Sequence, residues 1–143
     1  MAERYGDFDA RGRALAEAFW PGPLTLIVKV KADAPLCPLV LGGGTSIGLR
    51  VPDNPITRTL ITQMDTALAV PSANIAGAPV PTRVEDIAPE ILCQADVCLD
   101  DGPCQRGRAS TLVDISTAPL RILRTGDVTK ADIRTALGKA GLS

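Results

Sequence analysis

The 143-residue chain is 45% hydrophobic and 22% charged, with a formal net charge of −1. This composition is globular and the chain is long enough to bury a core, which excludes a disordered segment. Histidine is absent and aromatic residues make up 3%, excluding Ser-His-Asp and Cys-His catalysis, H-E-x-x-H zinc sites and a base-stacking platform.

No apolar run reaches the length of a bilayer span, and the opening M-A-E-R-Y-G-D-F-D lacks the pattern of a signal peptide. No membrane association is expected. Cys37, Cys93, Cys98 and Cys104 form no C-x-x-C pair. Free thiols in a reducing, cytoplasmic compartment are therefore expected, with no metal ligands among them.

Asp9 caps a predicted helix that runs to about Trp20, with Ala14, Leu15, Ala18 and Phe19 as its apolar stripe. Pro21-Gly22-Pro23 ends it, and Leu24–Val30 reads as a strand. A loop rich in Gly and Pro covers 31–44, followed by a short strand over Ser46–Val51. Asp53 or Asn54 caps the next helix, with Pro55 in its first turn and Ile56, Leu60, Ile61 and Met64 on one face. Ala67–Val70 is expected as a short buried strand running into Pro71-Ser72-Ala73-Asn74.

Thr82-Arg83-Val84-Glu85 fits a capping box opening a helix to about Cys93. Asp96–Leu99 is expected as a strand and Asp100–Ala109 as a polar loop. Ser110–Ile115 and Leu120–Leu123 read as strands joined by a short turn, and Thr129 caps a last helix over 130–137. This alternation predicts one α/β domain over 1–143 with a twisted, mixed parallel and antiparallel sheet and flanking helices.

Three groups of residues carry candidate chemistry. A strand end followed by Ser72-x-Asn74 sets small polar groups at the carboxyl edge of a sheet, where open α/β folds bind ligands. The competing reading is a turn whose Ser and Asn bond their own backbone. Ser46, Gly48 and Arg50 share one strand face, where arginine can clamp a carboxylate or phosphate. Ser110 opens a strand, and Arg124 lies at the exit of the following one. Gly42-Gly43-Gly44-Thr45 lacks the Lys-Ser/Thr ending of a P-loop and reads as a connector.

Five blocks, F-W-P-G-P-L-T-L-I-V (19–28), G-L-R-V-P-D-N-P (48–55), V-P-S-A-N-I-A-G-A-P-V-P-T (70–82), S-T-L-V-D (110–114) and R-I-L-R-T-G (121–126), stand in the order and spacing of the YrdC-like family. The chain resembles that family, which includes the threonylcarbamoyl-AMP synthases, from about Arg13 to Leu137. The resemblance implies synthesis of threonylcarbamoyl-AMP and pyrophosphate from L-threonine, bicarbonate and ATP, with Mg²⁺. The threonylcarbamoyl group then passes to adenosine 37 of tRNA through partner proteins. It further implies that Ser46, Ser72, Asn74 and Arg124 meet the nucleotide, and that Arg50, Val70 and Ser110 meet threonine. No single catalytic residue is assigned.

The family's Thr-rich N-terminal segment and its Lys-x-Arg element have no counterpart in this sequence. The expectation is a domain incomplete at its N-terminus, with impaired activity and an open sheet edge suited to a homodimer. Two alternatives stay open. One is a non-catalytic double-stranded-RNA-binding translation factor using Arg106, Arg108, Arg121 and Arg124. The other is a carbamoyltransferase domain of the hydrogenase-maturation type.

Overall fold

The computed structural model describes residues 1–104 and 107–142. They divide into two compact units: Met1–Leu68 with Ala109–Ser143, and Ala69–Arg108.

The first unit is built on a five-stranded mixed sheet. Its strands are β1 (Gly6–Asp7), β2 (Leu24–Val30), β3 (Ser46–Leu49), β4 (Thr111–Asp114) and β5 (Arg121–Arg124). β2 is the central strand. It pairs antiparallel with β1 and β3 and parallel with β4, and β4 pairs antiparallel with β5. Helices α1 (Ala10–Phe19), α2 (Pro55–Met64) and α4 (Lys130–Lys139) belong to the same unit, and α3 (Pro89–Leu92) belongs to the second.

The strand alternation fixes which face of the sheet is dry. Leu24, Leu26 and Val28 are fully buried, whereas the alternating Thr25, Ile27 and Lys29 are not. The inner face packs Leu15 of α1 and Ile133 of α4 against β2, Leu49 of β3 and Val113 of β4. Phe8 adds an edge-to-face contact with Trp20 at 5.9 Å. Asp9 caps α1 by accepting from Gly12 N–H at 2.8 Å. Thr129 and Asp132 form a reciprocal capping box on α4.

The structure corrects several expected elements of this unit. On α1 Gly12 and Leu15 are buried, Ala16 and Phe19 pack half-buried against the core, and Ala18 is exposed. Asn54 rather than Asp53 caps α2, taking the Thr57 N–H at 2.8 Å. No residue of α2 is buried, and Ile56 and Met64 of its apolar face are exposed. β3 stops at Leu49, two residues short of the expected Val51.

The second unit contains no strand and no fully buried residue among its described residues. The expected strand over 67–70 is absent, and Val70 is 79% exposed. At the start of that segment, still within the first unit, the Ala67 N–H donates to the Tyr5 hydroxyl at 2.9 Å instead of to a neighbouring strand. Residues 96–99 also run without a partner strand, leaving Val97 and Leu99 exposed.

The helix expected over 82–93 breaks into a short turn at Val84–Asp86 and α3 (Pro89–Leu92). Pro89 has no N–H to continue a helix and holds Ala88 extended, at ψ 134°. The Thr82 hydroxyl and N–H both pair with Asp86, one residue beyond the expected Glu85.

Candidate active site

The outward face of the sheet carries the polar residues of the sequence blocks. Ser46 lies opposite Lys29 and Gly48 opposite Ile27 across the β2–β3 ladder. Arg50 follows β3 directly, and its Nε donates to the Gly22 carbonyl at 2.9 Å. Gly22 N–H donates in turn to Val51 O at 2.9 Å. The Trp-Pro-Gly-Pro turn and the Gly-Leu-Arg-Val segment are thus two halves of one local structure. Trp20 secures the turn by donating from Nε1 to Leu24 O at 2.7 Å.

Ser110 is buried at the entrance to β4, and its Oγ lies 2.7 Å from Thr25 Oγ1. Arg124, at the end of β5, donates from Nε to Ser110 O at 3.0 Å and from Nη2 to Ser110 Oγ at 3.4 Å. Next to it, Thr111 Oγ1 donates to Val128 O at 2.7 Å and accepts the Gly126 N–H at 2.8 Å. These bonds lock the Ser-Thr-Leu-Val-Asp and Arg-Ile-Leu-Arg-Thr-Gly segments into a single frame.

Arg50, Ser110 and Arg124 therefore gather at the end of the sheet where β2 and β4 begin. Ser46 stands at the opposite end of β3, about 13 Å along the strand at the usual rise per residue. Thr25 was not singled out by sequence reasoning. Its position between Leu24 and Leu26 in an alternating strand was the available signal that it points outward.

At the far end of β4, Asp114 is 5% exposed. Its Oδ1 accepts from Ser116 N–H and Oγ at 2.9 and 2.6 Å, and its Oδ2 pairs with Arg121 at 2.7 Å. The Ser116 hydroxyl, opposed by burial and assisted by the Arg121 guanidinium, holds the Asp114 carboxyl below the usual carboxylate range. Arg121 is therefore engaged within the fold, as Arg124 is with Ser110. Arg106 of the expected basic patch lies outside the described residues.

Val70, Ser72 and Asn74 belong to the second unit. Val70 and Ser72 are exposed. No strand precedes the turn, so the expected placement at a strand's carboxyl end is not met. Asn74 Nδ2 donates to Ile75 O at 3.2 Å and to Ala78 O at 2.9 Å, closing a turn through Gly77 at φ +84°. Both amide donors are thus spent on the turn. Asn74 Oδ1 is buried and has no hydrogen-bond partner among the described residues. It is an acceptor suited to a hydroxyl or an ordered water, and its burial without one is costly.

The four cysteines are free and exposed. Among the described residues no three His, Cys, Asp or Glu side chains converge on a metal-sized space, and no helix is long and apolar enough to cross a membrane.

A mixed sheet with a dry helical face and a polar outer face, edged by Ser110, Arg124 and the Arg50–Gly22 pair, has the architecture of the Sua5/YciO/YrdC proteins. The chain belongs to that family, whose model, described as telomere recombination, matches residues 1–126.

Among its relatives, the threonylcarbamoyl-AMP synthase of Bacillus subtilis is 35% identical over 133 residues, covering 93% of this chain and 38% of the relative. The corresponding protein of Pyrococcus abyssi is 33% identical over 125 residues, covering 87% of this chain and 36% of the relative. The crystal structure of P. abyssi Sua5 complexed with L-threonine superposes with a TM-score of 0.87 at 30% identity, over 96% of this chain and 40% of that one. Escherichia coli YciO shares the fold, with a TM-score of 0.67 at 23% identity over 88% of this chain and 61% of that one. The chain thus spans well under half the length of the B. subtilis and P. abyssi synthases it matches.

Proposed function

We propose that this chain carries a threonylcarbamoyl-AMP synthase-type site, which joins L-threonine, bicarbonate and ATP into threonylcarbamoyl-AMP and pyrophosphate. The observation that supports this most is the frame at the start of β2 and β4. There Arg124 holds both the carbonyl and the hydroxyl of Ser110, while Arg50 is held by the Gly22 carbonyl.

The chemistry needs no imidazole. The threonine amine and bicarbonate give a carbamate with loss of water. A carbamate oxygen attacks the α-phosphorus of ATP, the bond to the bridging oxygen breaks, and pyrophosphate leaves. The protein's part is to align two anions and offset their repulsion.

In this reading Arg50 takes the threonine carboxylate, with Ser110 and the Val70 backbone beside the amino acid. Ser46, Ser72, Asn74 and Arg124 meet the nucleotide. The buried Asn74 Oδ1 fits a ribose hydroxyl or a water of a hydrated cation better than a phosphate oxygen, because it can only accept. Mg²⁺, when bound, would neutralise phosphate charge and would be carried mainly by ATP and water, as this ion prefers. The product would serve modification of adenosine 37 in tRNA, handed on through partner proteins.

The test is pyrophosphate release from ATP together with calorimetric binding of L-threonine. Release that requires both threonine and bicarbonate, and threonine binding abolished by Arg50→Ala, are expected. A chain that binds neither threonine nor ATP and releases no pyrophosphate sinks the reading.

A further inference from the structure

The geometry points to Thr25 as a positioning residue that sets the Ser110 hydroxyl as a hydrogen-bond donor to an oxygen of the bound amino acid. This inference rests on the threonine site proposed above.

A serine hydroxyl has one proton and two lone pairs. Arg124 is donor-only, so its Nη2 at 3.4 Å occupies a lone pair of Ser110 Oγ, while its Nε pins the Ser110 carbonyl. What remains on Ser110 is one lone pair and one proton, shared between Thr25 and whatever lies beyond. Thr25 Oγ1, at 2.7 Å, has no other partner among the described residues, so it can donate or accept. An oxygen ligand approaching Ser110 fixes the choice. Thr25 donates into the last lone pair, and the Ser110 proton turns outward to the ligand. No proton changes owner; only the direction of two hydroxyls is set.

The other branch of Thr25 has its own task. A Cβ placed on Gly48 would lie 3.2 Å from Thr25 Cγ2. The methyl therefore rests against Gly48, the one β3 position that carries no side chain, which fixes the rotamer that aims Oγ1 at Ser110. Thr25 thus bridges β3 and β4 across β2, and Ser110, being 7% exposed, has little water to replace a lost partner.

Three variants separate hydroxyl from shape. Thr25→Val keeps the methyl and loses the hydroxyl, Thr25→Ser does the reverse, and Ser110→Ala removes the partner. L-threonine binding to each is measured by calorimetry, with melting temperatures in parallel. Thr25→Val is expected to weaken binding about tenfold, the scale of one hydrogen bond. Thr25→Ser should stay within about threefold of wild type, at most about half of that bond's free energy. In the Ser110→Ala background, Thr25→Val should cost nothing further.

Unchanged binding by Thr25→Val overturns the inference. So does equal loss in Thr25→Ser, or full additivity with Ser110→Ala. If Thr25→Val does not fold, Thr25→Ala takes its place under the same expectations. A wild-type chain that shows no threonine binding fails the functional reading itself, and this inference falls with it.

Discussion

Asp114 shows how much one buried group can hold. Its carboxylate collects the Ser116 N–H and hydroxyl and the Arg121 guanidinium where β4 turns towards β5. Asp114→Asn leaves this set half-satisfied and should lower stability at pH 7 by about 1–3 kcal/mol, the cost of unmet partners in a buried site. Because the folded carboxyl titrates below its unfolded value near 3.9, its contribution is complete above that value and is lost as pH falls through the lower, folded one. Urea denaturation of both proteins between pH 7 and pH 3 should therefore show the gap closing at the acid end. Parallel curves across the range would rule out the pairing as a source of stability. This role was not legible beforehand. The Ser-Thr-Leu-Val-Asp block marked the position, but nothing in the residue types showed that Asp114 folds back on its own turn while Ser110, four residues earlier, is held by Thr25 and Arg124.

At the scale of elements, the joint between β5 and α4 governs the site frame. A Cβ at Gly126 would overlap the Ala109 carbonyl oxygen and come within 2.8 Å of Thr111 N and 2.9 Å of Ser110 C. All three are backbone atoms that no rotamer change can move. Gly126→Ala should therefore cost about 2 kcal/mol or more, an overpacking penalty, and should loosen threonine binding by displacing Ser110. Gly138→Ala is the control. It lies on α4, its added Cβ meets nothing within 4 Å, and helix propensity favours the change by up to about 1 kcal/mol. Equal melting temperatures for the two variants would refute the close-approach account.

The same scale shows where sequence signals carried. β2, β4, β5, α1 and α4 were readable because period-2 or period-3.6 patterns coincided with capping and proline stops. The segments at 67–70 and 96–99 were apolar enough for strands, but a strand also needs a neighbour. At Ala67 the N–H is claimed by Tyr5, a contact spanning 62 residues that no local pattern announces.

For the whole molecule, the contrast between the two units decides which parts open first. The first unit owns the buried core. The second holds itself by turns such as Asn74 to Ala78, Thr82 to Asp86 and Cys104 N–H to Thr82 O, with no buried hydrophobic residue among its described residues. Local opening free energy follows buried apolar contact. Amides of the second unit should therefore exchange well before those of β2 and β4, and trypsin should cut after Arg83 and Arg108 before it reaches β2 at Lys29. If Ser72 and Asn74 meet the nucleotide, ATP with L-threonine should slow exchange across 70–78, because a ligand that binds only the closed turn stabilises it by mass action. Exchange there that is indifferent to ATP, while Ser110 and its neighbours become protected by threonine, would leave the amino-acid half of the site standing. It would also return the Val-Pro-Ser-Ala-Asn segment to the self-bonded turn that its amide hydrogen bonds already describe.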